Sequence, residues 1–234
     1  LLFLSAGSVI HAMSDEQDIR KMGGIRRLIP VTFAVMLIGN LALTGIPFFA
    51  GYFSKDMVLE AAYAAGTGPG NYAFVLGITA AFLTAFYSWR LTFLTFFGAP
   101  RANQHTMDHV HESPLVMTIP LSLLAVGAVF AGFLGYDLFV GESRSEFWRG
   151  AIAVLESQDS IGRAHEHHPA FLIKYLPLIV SVAGLGLAYL MYIKRPELPG
   201  RLAAAFPGVY QFLLNKWYFD ELYDFLFVKN AFRL

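Results

Sequence analysis

The chain contains no cysteine, so no disulfide framework, thiolate metal site or iron–sulfur ligation can be built from it. Charge is scarce as well. Only 15% of residues are Asp, Glu, Lys or Arg, whereas an ordinary soluble domain carries about 25%. The charges that remain cancel, to a formal net charge of zero, and that balance argues against nucleic acid as a partner. No G-x-S-x-G, P-loop, dinucleotide fingerprint or haem ligand pair is present, so nucleotide and electron-transfer chemistry have no visible seat here. No charged segment precedes Leu1 to make a secretory signal. What fills the chain instead is apolar: 56% of residues, gathered into long runs. Such runs describe an all-α, polytopic transmembrane helix bundle whose first partner is the lipid bilayer.

The runs follow a readable order. Leu1 to Met13 is apolar but too short to span, and reads as the tail of a truncated helix. Residues 14–27 form a polar loop turned by Gly23-Gly24. Residues 28–65 form a broken helix, and Gly66 to Gly70 (GTGPG) a tight loop. Spans follow at 71–98, 114–140 and 170–193, separated by a polar loop at 99–113 and a longer exposed segment at 141–169. From Leu198 the pattern changes. Apolar or aromatic residues at 210, 213, 214, 217, 218, 222, 225 and 226 keep helical spacing, with Lys216, Asp220, Glu221 and Asp224 between them. That suits an amphipathic helix on a membrane surface or against a partner. Three regions result: 1–98, 99–193 and 194–234. Beginning inside one helix and ending inside another, the chain reads as a piece of something longer. Loops 14–27 and 99–113 and the tail after Ile193 hold four, one and six Lys/Arg; the opposite loops hold none and three. The basic excess predicts that the first set faces the cytoplasm or matrix.

The broken helix carries the chemistry. Leu28 to Thr44 is barely long enough to span, and is followed by Gly45-Ile46-Pro47 and then Gly51. Proline lacks an amide hydrogen, and glycine makes left-handed or bent backbone accessible. Inside a membrane, such a break is tolerated only where protein or a water-filled cavity satisfies the freed groups. Lys55 lies just past it. With Ser54 as the cap of the second half-helix, Lys55 falls in the first turn, where the helix dipole and desolvation both favour the neutral amine. Lys55 is therefore a candidate proton relay. Asp56 and Glu60, at i and i+4 on one face, are candidate exit partners. The alternative is that Lys55 snorkels to the nearer interface along its flexible stem.

Other polar residues are weaker candidates. His11, near the end of the first helix, has the titration range of a proton carrier but also suits an interface. Asn40, Thr44, Thr84 and Ser88 are mid-span polar residues that could hold water or bond across helices. Arg90 reads as an interfacial anchor. His105, His109 and His111, and separately His165, His167 and His168, cluster in loops without a zinc-site spacing, so no metal is assigned to either group.

Several motifs carry a resemblance: Gly7-Ser8-Val9-Ile10-His11, Asp18-Ile19-Arg20-Lys21-Met22-Gly23-Gly24, Gly51-Tyr52-Phe53-Ser54-Lys55-Asp56, Tyr87-Ser88-Trp89-Arg90, His111-Glu112-Ser113-Pro114, and Asn215-Lys216-Trp217-Tyr218-Phe219-Asp220-Glu221-Leu222-Tyr223. In these motifs and their order the chain resembles the L-type antiporter-like membrane subunits of respiratory complex I, the NADH:quinone oxidoreductase (mitochondrial subunit 5). The resemblance implies two inverted five-helix repeats, each with a broken helix, then added spans and a lateral helix. This chain would hold the end of the second repeat, the added spans and the start of the lateral helix. Lys55 matches the family's lysine on the second broken helix, its terminal proton-channel residue, and His11 stands where many members have histidine. The family's further glutamate, lysines and histidines lie on helices before Leu1. NAD, FMN, iron–sulfur clusters and quinone would be bound by other subunits, and none by this chain. The partners would be neighbouring antiporter-like subunits, in a bacterial plasma membrane or a mitochondrial inner membrane. A multi-chain cation/proton (Na⁺/H⁺) antiporter is the alternative, and a scaffold in which Lys55 merely pairs with an acid is a third reading.

Overall fold

The computed structural model describes residues 1–155, 158–166 and 171–231. Those residues are helical with no strand among them, and they divide into two compact units, Leu1–Ile193 and Lys194–Leu234.

In the first unit, α1 (Leu2–Ala12) runs antiparallel to α2 (Pro30–Thr44): Leu2 lies against Gly39, and Ser8 against Thr32. The two are joined by the polar loop, folded into short 3₁₀ turns at Ile19–Lys21 and Ile25–Arg27. Asp18 caps the first turn by accepting the Arg20 amide at 2.9 Å. The loop is sewn to the end of α4 (Gly68–Phe96). Gly24 N–H donates to the Phe97 carbonyl at 3.2 Å, and Arg101 donates to the carbonyls of Ile19, Arg20 and Leu94. Val9, Met13, Met22, Ile25, Ile29 and Phe96 bury together beneath this layer.

The remaining helices of the unit are α3 (Ala50–Ala64), α5 (Gln104–Asp108), α6 (Leu115–Phe139), α7 (Arg144–Trp148), α8 (Ser160–Glu166) and α9 (Phe171–Tyr189), the last continued by a π-helical turn to Lys194. Among the described residues, three helices are long and apolar enough to cross a membrane: Gly68–Phe96, Leu115–Phe139 and Phe171–Lys194. At about 1.5 Å per residue each exceeds the ~30 Å hydrocarbon core. The α4–α9 interface is the most extensive among the described residues, with Trp89, Phe93 and Ala188 buried there.

Segment 141–169 is more than an exposed connection. An Arg144–Asp159 ion pair ties α7 to the start of α8, Asp159 accepts the Gly162 amide at 2.9 Å, and α8 returns to pack on α3. His165 packs near Tyr136, its Nε2 lying 3.4 Å from the Tyr136 hydroxyl. His167 and His168 lie outside the described residues.

The second unit is a series of short helices, α10 (Leu198–Ala205), α11 (Pro207–Leu214), α12 (Phe219–Tyr223) and α13 (Lys229–Ala231), with a π-helical stretch at Asp224–Val228. Periodic spacing predicts one rod through residues 210–226. The backbone interrupts it where Lys216, Trp217 and Tyr218 all take positive φ (52°, 63° and 56°). Periodicity reports which faces are apolar, and two helices either side of a kink can keep one apolar phase.

Candidate functional site

The break is made by glycine more than by proline. At the end of α2, Gly45 N–H donates to the Ala42 carbonyl and Ile46 N–H to the Leu41 carbonyl, each at 3.1 Å. This is the Schellman arrangement with glycine in the left-handed region (φ 71°). Pro47 follows where a helix cannot continue. Phe48, also at positive φ (78°), and extended Phe49 then lead into α3. Such backbone in a bulky residue is costly, and collects at functional sites.

One consequence corrects the sequence expectation. Phe49, not Ser54, is the N-cap of α3, and Lys55 is the sixth helical residue rather than part of the first turn. The Ser54 hydroxyl bonds back to the Ala50 carbonyl at 3.4 Å, inside a helix already begun. The helix dipole argument therefore reverses. Lys55 Nζ donates to the Thr44 carbonyl at 2.6 Å, and so meets the negative, C-terminal end of α2. Its second partner is the Ser181 hydroxyl of α9, at 3.0 Å. Room for the ammonium comes from Gly45: a Cβ there would lie 2.6 Å from both Cε and Nζ of Lys55. Held by three helices and partly buried, the amine does not snorkel away.

The other expected residues fall in different places. Asp56 is 8% exposed, and its Oδ1 has no hydrogen-bond partner among the described residues. Glu60 lies one turn further along α3, partly exposed. Both share the helix of Lys55. His11 does not join them. Its ring meets His111 edge-on at 5.7 Å, level with the start of α2, and Thr32 is separated from Thr44 by about 18 Å of helix. His105 stacks near His109 at 4.6 Å in the same outer loop. The Arg90 guanidinium sits over the Tyr192 ring at 5.5 Å, an anchoring contact between α4 and the end of α9.

Residues 1–84, which hold the break and Lys55, match the family described as NADH:quinone oxidoreductase/Mrp antiporter, TM. Beyond that match, the similarity runs the length of the chain. It is 42% identical to an NADH-quinone oxidoreductase subunit L from Rhodobacter capsulatus, over 99% of this chain and 41% of the relative. It is 42% identical to an NADH-ubiquinone oxidoreductase chain 5 from Marchantia polymorpha, over 97% of this chain and 34% of the relative. With chain 5 from Phytophthora infestans, identity is 45% over 95% of this chain and 33% of that protein. Over residues 1–84 the chain is thus similar to this antiporter-like membrane family, and over the rest to the subunits named above. It spans well under half the length of those three relatives.

Two further polar groupings lie along α2. Between α2 and α4, Asn40 Nδ2 donates to Thr92 Oγ1 at 2.8 Å, Thr92 donates to the Ser88 carbonyl at 3.1 Å, and Thr44 donates to the Asn40 carbonyl at 2.8 Å. Asn40 Oδ1, Ser88 Oγ and Thr95 Oγ1 are buried without partners among the described residues. A crevice of roughly 320 Å³, lined by Asn40, Ser88 and Thr92 among apolar side chains such as Leu2, Met36 and Leu91, opens beside Asn40 and Ser88. Buried oxygens in that condition call for water.

The second grouping, unforeseen in sequence, lies at the other end of α2. Glu112 accepts the amides of Val31 and Thr32 at 2.7 and 3.3 Å and the Thr32 hydroxyl at 2.5 Å. Thr32 lies 2.8 Å from Ser8, which lies 2.5 Å from Ser113. A carboxylate only accepts, so the hydroxyl protons run one way, from Ser113 through Ser8 and Thr32 to Glu112. The His-Glu-Ser-Pro motif is thus the anion cap of α2. Ser181 was likewise invisible in sequence, because nothing local marks a serine as the partner of a lysine 126 residues away.

Proposed function

We propose that this chain is the lysine-bearing part of a proton-translocating membrane subunit of NADH:quinone oxidoreductase. It couples electron transfer, carried by NAD, FMN, iron–sulfur clusters and quinone in other subunits, to proton movement across the membrane. Its partners are the other membrane subunits of complex I, above all neighbouring antiporter-like chains. The observation that carries this reading is the Lys55 ammonium at the helix break, held by one C-terminal carbonyl and one hydroxyl, with no carboxylate bonded to it among the described residues. A cation hydrogen-bonded by neutral groups can lose its proton without breaking a hydrogen-bonded ion pair. The unpartnered oxygens of Asn40, Ser88 and Thr95 supply a wet lane from the break toward the end of α4. Asp56, with its free Oδ1, and Glu60 are the acceptors on the other side, and His11 belongs to the outer end of α1. The relatives' names favour this reading over a separate cation/proton antiporter. The reading also divides the chain into the end of the second repeat (1–98), two added spans (99–193) and the start of a lateral helix (194–234).

Arginine keeps a cation but does not deprotonate at physiological pH. In membrane vesicles containing the whole complex, Lys55→Arg should leave assembly and artificial-acceptor NADH oxidation intact while proton pumping falls by an order of magnitude. Undiminished pumping per NADH would sink the proposal.

A further inference from the structure

The Lys55 hydrogen bond to α9 has a property that the rest of the site lacks. Serine and threonine hydroxyls inside this bundle usually fold back onto a carbonyl of the preceding turn: Ser5 onto Leu1, Thr44 onto Asn40, Thr79 onto Val75, Thr92 onto Ser88 and Ser122 onto Thr118. Ser181 does not. It is 1% exposed, and its oxygen accepts from the Lys55 ammonium while its own proton is given to no acceptor among the described residues. The position is also fixed in depth. One turn on, Gly184 brings the α9 backbone against α4 so closely that a Cβ would lie 2.6 Å from the Phe82 carbonyl oxygen and 3.0 Å from Ala85 Cβ. Ala188, fully buried another turn along, completes the contact.

We infer that Ser181, on a helix beyond the family-matched residues 1–84, is a positioning residue that serves both protonation states of Lys55. The Thr44 carbonyl can only accept, so it takes an N–H from either form of the amine but cannot serve the lone pair of the neutral one. A hydroxyl can do both: it accepts from the ammonium and, by turning about its C–O bond, donates its uncommitted proton to the amine lone pair. The lysine then gives up and regains a proton without moving its nitrogen, with Ser181 in place throughout. On α3 itself the neighbouring charged groups are Asp56 and Glu60; α2 presents the Thr44 carbonyl and α9 the Ser181 hydroxyl.

The inference rests on the proton-relay reading, and its test separates the two. Whole complex carrying Ser181→Ala, Ser181→Thr or Lys55→Ala would be compared in inverted vesicles for NADH oxidation and for dye-reported proton uptake, across pH. Ser181→Ala should keep NADH oxidation with artificial acceptors and lower pumping by about fivefold, the weight of one hydrogen bond. A hydrogen bond to the ammonium outweighs one to the neutral amine, so losing the hydroxyl disfavours the charged form and the alkaline limb of the pumping profile should move to lower pH, by at most about 0.7 unit. Ser181→Thr, which restores the hydroxyl, should recover most of both. Wild-type pumping and profile in Ser181→Ala, with Lys55→Ala inactive, would overturn the role of Ser181 alone. Equal loss in the alanine and threonine variants would also overturn it, as a packing effect. Full pumping by Lys55→Ala would remove the relay itself.

Discussion

The two ends of α2 are both polar and both buried, yet they are built to opposite rules. At its start, Ser8, Thr32, Ser113 and Glu112 form a closed chain in which every hydroxyl proton has an acceptor. At its end, the Lys55 site and the neighbouring Asn40–Ser88–Thr92 seam leave four oxygens (of Asn40, Asp56, Ser88 and Thr95) and the Ser181 proton without partners among the described residues. A saturated network holds a structure in one arrangement, because breaking any bond exposes a buried polar group. An unsaturated one keeps acceptors in reserve for water or a moving proton. The difference assigns clamping to one end of the helix and transport to the other.

That contrast can be broken from either side. The largest effect on stability should come from the closed end. Glu112→Ala strips two α2 amides and the Thr32 hydroxyl of their acceptor, at a cost of about 2–3 kcal/mol, and thermal melting of the detergent-solubilised complex should show subunit loss at lower temperature. Gly45→Ala comes next. Left-handed backbone costs a residue with a Cβ about 1–2 kcal/mol, and the new methyl displaces the ammonium, so pumping should fall further than stability. In the open seam, the paired change Asn40→Leu with Thr92→Val should move the melting temperature little, because partners replaced together by apolar groups are nearly neutral. Pumping should nonetheless drop severalfold. A melting loss as large as that of Glu112→Ala would erase the distinction between the two ends.

The smallest effect belongs to the outer loop. The Arg20 side chain, and then its backbone amide, hold the Asp18 carboxyl down from 3.8 to about 2. A depressed carboxylate stabilises the fold above its unfolded value and loses that contribution as pH falls through the folded one. The 14–27 loop should therefore keep its Asp18 cap down to about pH 3 and release it near pH 2. Amide exchange at Arg20 would follow this, and Asp18→Asn should abolish the step while leaving pumping unchanged.

Sequence alone determined the membrane character, the long spans, the interruption after Thr44 and the lysine beside it. Each of these is written locally, in runs of apolar residues, in one Gly-Ile-Pro step and in one charge where charge is costly. It misplaced the start of α3, because Ser54 has the chemistry of a cap and the backbone reversal at Phe48 has no local signature. Only the tertiary structure decided that the ammonium meets the tail of α2, that a serine on α9 completes its shell, and that Glu112 seals the other end of the same helix. Those partners lie 11, 126 and about 80 residues apart. Hydropathy specifies which residues are buried, but the pairing of buried polar groups is set by how helices are stacked, and no spacing within one helix encodes that.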